Sequence, residues 1–158
     1  MGRTTNYDNR RVSLNIYSNL FNYGSDRSQP ANTSLNSDTG GMVCAGIVKL
    51  CQSVLVLLLS DRVYFDQTWG TRLPRMLRGN AQVLTNNIQS TMQEALYTVK
   101  SQLRANQREN APADETLAGL KLLNVDIDFG RPAVMVNIRV FSLAGDRRDL
   151  VVPINLPV

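Results

Sequence analysis

Two carboxylates at a suitable separation are the smallest set of side chains that can cleave a glycosidic bond. Glu94, Asp126 and Asp128 are the acids here that invite the comparison. Glu94 falls within a helical pattern, and the two aspartates alternate with apolar residues at the outward positions of a strand pattern. A general acid needs an apolar pocket to hold its proton; these placements predict solvated carboxylates instead. A peptidoglycan-cleaving glycosidase built on Glu94 and an aspartate therefore stands as an alternative, not as the leading reading. Other chemistry is narrower still. The chain has no histidine, which removes Ser-His-Asp and Cys-His catalysis, His-ligated zinc and imidazole proton transfer. Its two cysteines, Cys44 and Cys51, are too few for a structural zinc site. On a helix they would stand about 10 Å apart, beyond disulfide reach. Two buried free thiols in a reducing compartment are expected. Phosphate-binding glycine patterns are missing, and Gly40-Gly41 reads as a joint. No catalytic residue, cofactor or metal is implied.

Charge narrows the partners. Seventeen basic residues against thirteen acidic ones leave +4, too small and scattered a surplus to require nucleic acid. A basic nucleic-acid-binding module is a second alternative, marked by salt-dependent affinity for duplex DNA. Fourteen of the seventeen are Arg, and Lys49, Lys100 and Lys121 are the rest. That bias fits a surface made for protein contacts, and a GC-rich coding sequence equally well. Arg72, Arg75 and Arg78 share the i, i+3, i+6 spacing of one helix edge, open to solvent or to an acidic partner. Met42 to Leu59 is the one apolar stretch of near-membrane length. Lys49, Gln52 and Ser53 interrupt it, and a central Lys alone costs about 2.5–3.5 kcal/mol in a bilayer. A buried soluble segment is expected. Met1 to Arg11 is polar with no apolar run after it, so no signal peptide is expected.

The 158 residues suffice for one domain. Residues 1–40 are rich in Asn, Ser, Thr, Asp and Gly and read as an extended or flexible arm. Within it Val12, Leu14 and Ile16 alternate with polar residues, fitting either docking onto a partner or a short strand folded back on its own domain. Residues 41–158 read as a single α+β domain. Val43, Ile47, Leu50, Cys51, Val54 and Leu55 have helical spacing, and Val54 to Leu59 either ends that helix or starts a buried strand. Thr71 to Arg78 predicts a short helix with Pro74 in its first turn and Gly79 just past its end. Leu84, Ile88, Met92, Ala95, Leu96, Val99 and Leu103 fall on one stripe and predict a long amphipathic helix over 82–104. Leu123, Val125, Ile127 and Phe129 alternate, as do Val134, Val136, Ile138 and Val140 across a turn at Gly130-Arg131-Pro132. Leu150 to Leu156 predicts a third strand, placed at an edge by Pro153. The architecture expected is the long helix packed on a three-stranded antiparallel β-meander.

Residues 47–140 carry a resemblance. An apolar helix leads into Leu57-Leu58-Leu59-Ser60-Asp61-Arg62-Val63-Tyr64-Phe65-Asp66-Gln67, then Trp69-Gly70-Thr71-Arg72-Leu73 and Leu77. The helix with Asn86-Asn87-Ile88-Gln89-Ser90 and two alternating strands follow. This order resembles the sheath-initiator (baseplate wedge) family of contractile phage tails, shared with pyocins and type VI secretion. The resemblance implies a structural virion protein of the tail baseplate, assembled in the host cytoplasm and present as a ring of about six copies. It implies tail sheath protein, baseplate wedge proteins and tail tube proteins as partners, with no nucleic acid and no membrane. The sheath would be started by β-augmentation, main-chain hydrogen bonds supplying affinity and alternating side chains the register. Leu150, Val152, Ile154 and Leu156 are then the expected sheath interface, and Val12, Leu14 and Ile16 the arm contact. Trp69, Arg72, Arg75, Arg78, Arg104 and Arg108 are the expected wedge or tube interface. The family's Glu-Pro-Arg triplet is missing around Leu96-Tyr97-Thr98, which is why Arg104 and Arg108 enter that set.

Overall fold

A computed structural model describes residues 13–14, 21–22, 43–62, 68–79, 81–128 and 133–155. The fold is α+β, and the described residues form three helices, a separate two-stranded ladder and an antiparallel sheet of three long strands with a short fourth strand at one edge. Three two-residue strands come first: β1 (Ser13–Leu14), β2 (Phe21–Asn22) and β3 (Val43–Cys44). The helices follow as α1 (Gly46–Leu59), α2 (Leu73–Gly79) and α3 (Ala81–Ala105). The long strands β4 (Leu117–Asp128), β5 (Ala133–Ser142) and β6 (Arg147–Asn155) close the chain. β5 lies in the middle, paired with β4 and β6.

α1 is apolar around most of its circumference, and it leaves one stripe, Lys49, Ser53 and Val56, only half-buried. Leu50, Cys51, Val54, Leu55, Leu57 and Leu58 are all buried. The run Val54 to Leu59 ends this helix; nothing before Ser60 breaks it, and Ser60 N–H closes the last turn on Val56 O at 2.9 Å. Cys44 is corrected from helix to strand: it sits in β3, paired with Ser13 of β1. The start of α1 holds no acid of its own. Glu115 supplies one from the distant connector, accepting from Gly46 N–H at 3.1 Å and from Lys49 Nζ at 2.6 Å. A carboxylate there complements the positive end of the helix dipole.

The sheet turns one face to the helices and leaves the other wet, as antiparallel sheets commonly do. Val134, Val136, Ile138 and Val140 of β5 and Leu150, Val152 and Ile154 of β6 are buried against that helical layer. α1 lies over β5 and β6, and α3 lies against β4, α1 and α2. Ile88, Met92, Ala95, Leu96 and Val99 are buried apolar residues of α3, and Thr91 and Gln102 are buried beside them. On the wet face Arg139 grips Asp149 with two bonds, Nε–Oδ1 at 2.7 Å and Nη2–Oδ2 at 2.8 Å. That pairing holds the Asp149 carboxyl below its ordinary range.

β4 corrects the expected alternation. It starts at Leu117 rather than Leu123, and register shifts fall between Leu117 and Gly119 and between Leu122 and Asn124. Each shift is a bulge that adds one residue and reverses the phase of the pleat. Leu120 and Leu122 therefore pair with Val140 and Ile138, and Val125 pairs with Val136, all in step with the buried row of β5. Leu123 sits at the second bulge and is 39% exposed, not part of the core face. Phe129 and the turn at Gly130-Arg131-Pro132 lie outside the described residues. At the first bulge, the Ala118 carbonyl accepts from Arg104 Nη2 at 3.0 Å.

Cys44 and Cys51 are both buried and unbridged. Burial pushes the Cys44 thiol up to about 11 and the Cys51 thiol up to about 12, from 9.0. At neutral pH the reactive thiolate is about a hundredfold or more scarcer than in the open chain. Thiol labelling is expected to be slow in native buffer and complete in denaturant; rapid native labelling would contradict this burial. The sign of the linkage follows, because the open chain loses these protons first. The contribution of these two thiols to folded stability is full below about pH 9 and declines as pH rises through the folded values.

Candidate functional site

Two surfaces offer themselves to partners: the outer edge of β6 and a cleft between α2 and α3. At the first, Phe21–Asn22 of β2 pairs antiparallel with Leu150 and Asp149. β6 therefore already takes a strand on its outer side, over two residues. Val151 to Asn155 continues that edge with no strand paired on its outer side among the described residues. Pro153 lies opposite Met135 of β5. A proline has no N–H to give, so an intact β5–β6 ladder leaves its nitrogen at an outward position. Adjacent residues of a strand bond to opposite sides, which makes Val151 and Asp149 outward bonding positions too. The side chains of Leu150, Val152 and Ile154 are buried. Contacts of this stretch at the edge are therefore left to its backbone and to the more open side chains of Val151 and Pro153.

The second surface grows from the loop that follows α1. Thr71 N–H bonds Ser60 O and Arg62 N–H bonds Thr71 O, both at 2.9 Å, forming a short parallel bridge. Thr71 Oγ1 donates to Leu58 O at 2.9 Å and accepts from Leu73 N–H at 3.2 Å, capping the start of α2. Gly70 has φ +82°, and a Cβ there would stand 2.7 Å from Ser60 O. Gln102 Nε2 of α3 reaches across to Gly70 O at 2.9 Å. This bridge holds Arg62 and Arg72 beside α3. Together with Leu73, Met76, Thr91, Glu94, Ala95 and Thr98 they line a cavity of about 240 Å³. Arg62 Nε is shielded from solvent with no hydrogen-bond partner among the described residues. Leaving such a group unpaired costs about 1–3 kcal/mol or more.

The arginines proposed from spacing fare differently. Arg72 is exposed on the cleft wall. Arg75 is committed within the chain, its Nη2 donating to Arg62 O at 3.2 Å and its Nε 3.6 Å from Asp61 Oδ1. Arg104 is likewise engaged, on Ala118, and Arg108 is exposed in the connector. For Arg78 only its place in α2 is described. Trp69 is 44% exposed at the bridge. Leu14 pairs with Val43 in the β1–β3 ladder; Val12, Ile16 and Leu156 lie outside the described residues. Glu94 is the one carboxylate among the described cleft residues, while Asp126 sits on exposed β4, bonded by Asn124 Nδ2 at 2.8 and 2.9 Å. Spacing alone missed Arg62, Thr91 and Thr98, whose neighbours in the cleft are remote in the chain. Among the described residues no group of His, Cys, Asp and Glu is placed to hold a metal ion, and no helix is long and apolar enough to cross a membrane. Comparison with protein-family models, with curated proteins and with solved structures finds no match.

Proposed function

We propose that this chain is a non-enzymatic assembly protein of a contractile tail baseplate, which starts the sheath by lending the outer edge of β6 to an extended arm of the sheath protein. The observation that carries the reading is the pairing of β2 with Leu150 and Asp149. An edge that already takes a strand from its own chain has the geometry to take a longer one, with main-chain bonds supplying affinity. The finer architecture belongs to the same reading: an arm over residues 1–40, and a long amphipathic helix backing the meander. Baseplate wedge and tube proteins would meet the opposite, arginine-bearing side, in a ring of about six copies.

Val151→Pro tests it. Val151 shares the outward bonding position of Pro153, so the substitution deletes an outward donor while the β5–β6 ladder keeps its bonds. Ile154 is a poorer choice because it is buried. The variant is expected to keep a cooperative thermal transition and to enter baseplates that fail to polymerise sheath. Normal, full-length sheath on particles carrying the folded variant would overturn strand pairing at this edge.

A further inference from the structure

We propose that the cleft between α2 and α3 is a docking site for an acidic segment of a partner protein, with Arg62 and Arg72 receiving one carboxylate. Among the described residues the cleft gathers two guanidiniums against the one carboxylate of Glu94. No ion pair within 4 Å joins Glu94 to either guanidinium among the described residues. Asp61 Oδ1 stands 3.6 Å from Arg75 Nε, and those two charges offset each other. Among the described residues one positive charge is thus left over, which one incoming carboxylate would balance. Arg62 lines the cleft with part of its side chain still accessible. Its Nε, like Asp61 Oδ1 and Gln102 Oε1, is shielded and without a hydrogen-bond partner among the described residues. An incoming carboxylate would therefore meet the guanidinium at its terminal nitrogens.

Size and rim favour a peptide. A cavity of about 240 Å³ matches one side chain with its waters, not a drug-sized ligand. Tyr97, 75% exposed, neighbours Thr98 and stands three residues after Glu94 on α3; Met76, also exposed, is on the α2 wall. Exposed Tyr and Arg around a small pit are the residues that protein interfaces favour. Glu94 in the wall would repel a run of consecutive phosphates, so nucleic acid fits less well. Acid binding here is independent of strand pairing at β6; failure of the sheath assay leaves it standing.

The probe is acetyl-Gly-Glu-Gly-amide, titrated into the full chain while the Arg Nε–Hε resonances are followed, with the Gln peptide as its neutral control. The Arg62 resonance is expected to shift saturably with the Glu peptide only. Arg72→Gln, at an exposed position, should keep the thermal midpoint and weaken binding about tenfold. Glu94→Gln removes the like charge and should tighten binding about threefold. The proposal is overturned by equal responses to the Glu and Gln peptides, or by Glu94→Gln weakening the Glu peptide. A short single-stranded oligonucleotide that shifts Arg62 at lower concentration than the peptide would overturn it in favour of nucleic acid.

Discussion

Val136→Asp is expected to abolish the cooperative thermal transition of this protein. Val136 is fully buried at the centre of β5, paired with Val125 on one side and Val152 on the other. A carboxylate there has no cation beside it and no route to water. It must ionise in an apolar layer or take up a proton at a cost, and burying unpaired charge is among the few single changes that exceed about 4–5 kcal/mol. A domain of this size has only about 5–15 kcal/mol in total. Ile88→Asp, on the helical side of the same core, should do the same. Leu143→Asp is the control, at a residue 62% exposed. Calorimetry that finds cooperative transitions near the parent midpoint in both core variants would show the helices and sheet are not packed this way.

Gly70→Ala is the second large effect. The φ of +82° alone costs a non-glycine residue about 1–3 kcal/mol. The added methyl also meets a backbone oxygen, Ser60 O at 2.7 Å, with Asp61 O at 3.1 Å. Backbone cannot swing aside as a flexible side chain can, so the bridge between residues 60–62 and 70–71 must open. The thermal midpoint is expected to fall by more than about 6 °C, at about 2–4 °C per kcal/mol for a chain of this length. Gly145→Ala separates the two causes. Its φ is +86° with nothing within 4 Å of the added carbon, so it carries strain without collision and should lose clearly less. Equal losses at the two glycines would mean that the close approach to Ser60 is not present in solution.

What could be read from the chain was whatever repeats locally. The strict alternation of Val134, Val136, Ile138 and Val140 identifies a half-buried strand because each inward residue is β-branched and each outward one is not. The start of β4 was hidden for the opposite reason: Leu117 to Leu123 carries two interruptions of phase, and a strand that changes phase has no period to detect. Cys44 looked helical because its apolar neighbours run on into α1, although pairing with Ser13 decides its conformation. That pairing, the landing of Phe21–Asn22 on β6 and the reach of Gln102 to Gly70 join residues far apart in the chain. The cleft is non-local in the same way, with Arg62 and Arg72 arriving from one side and Glu94 and Thr98 from the other. Spacing picked out Arg72 but gave no sign that Arg75 would be spent on Asp61.

The bulges in β4 also bear on how this chain can change length over evolutionary time. Leu122 and Leu123 are the same residue, so loss of either codon yields one product. In it Leu pairs with Ile138, Asn124 with Asn137 and Val125 with Val136, as before. Loss of Ala118 is absorbed in the same manner, provided Arg104 releases its carbonyl. A one-codon deletion inside β5 has no such slack: it would exchange the row Val134, Val136, Ile138 for Met135, Asn137, Arg139 on part of the strand. Insertions and deletions of single residues should therefore accumulate at positions 118 and 123 among descendants of this sequence, while β5 keeps its length.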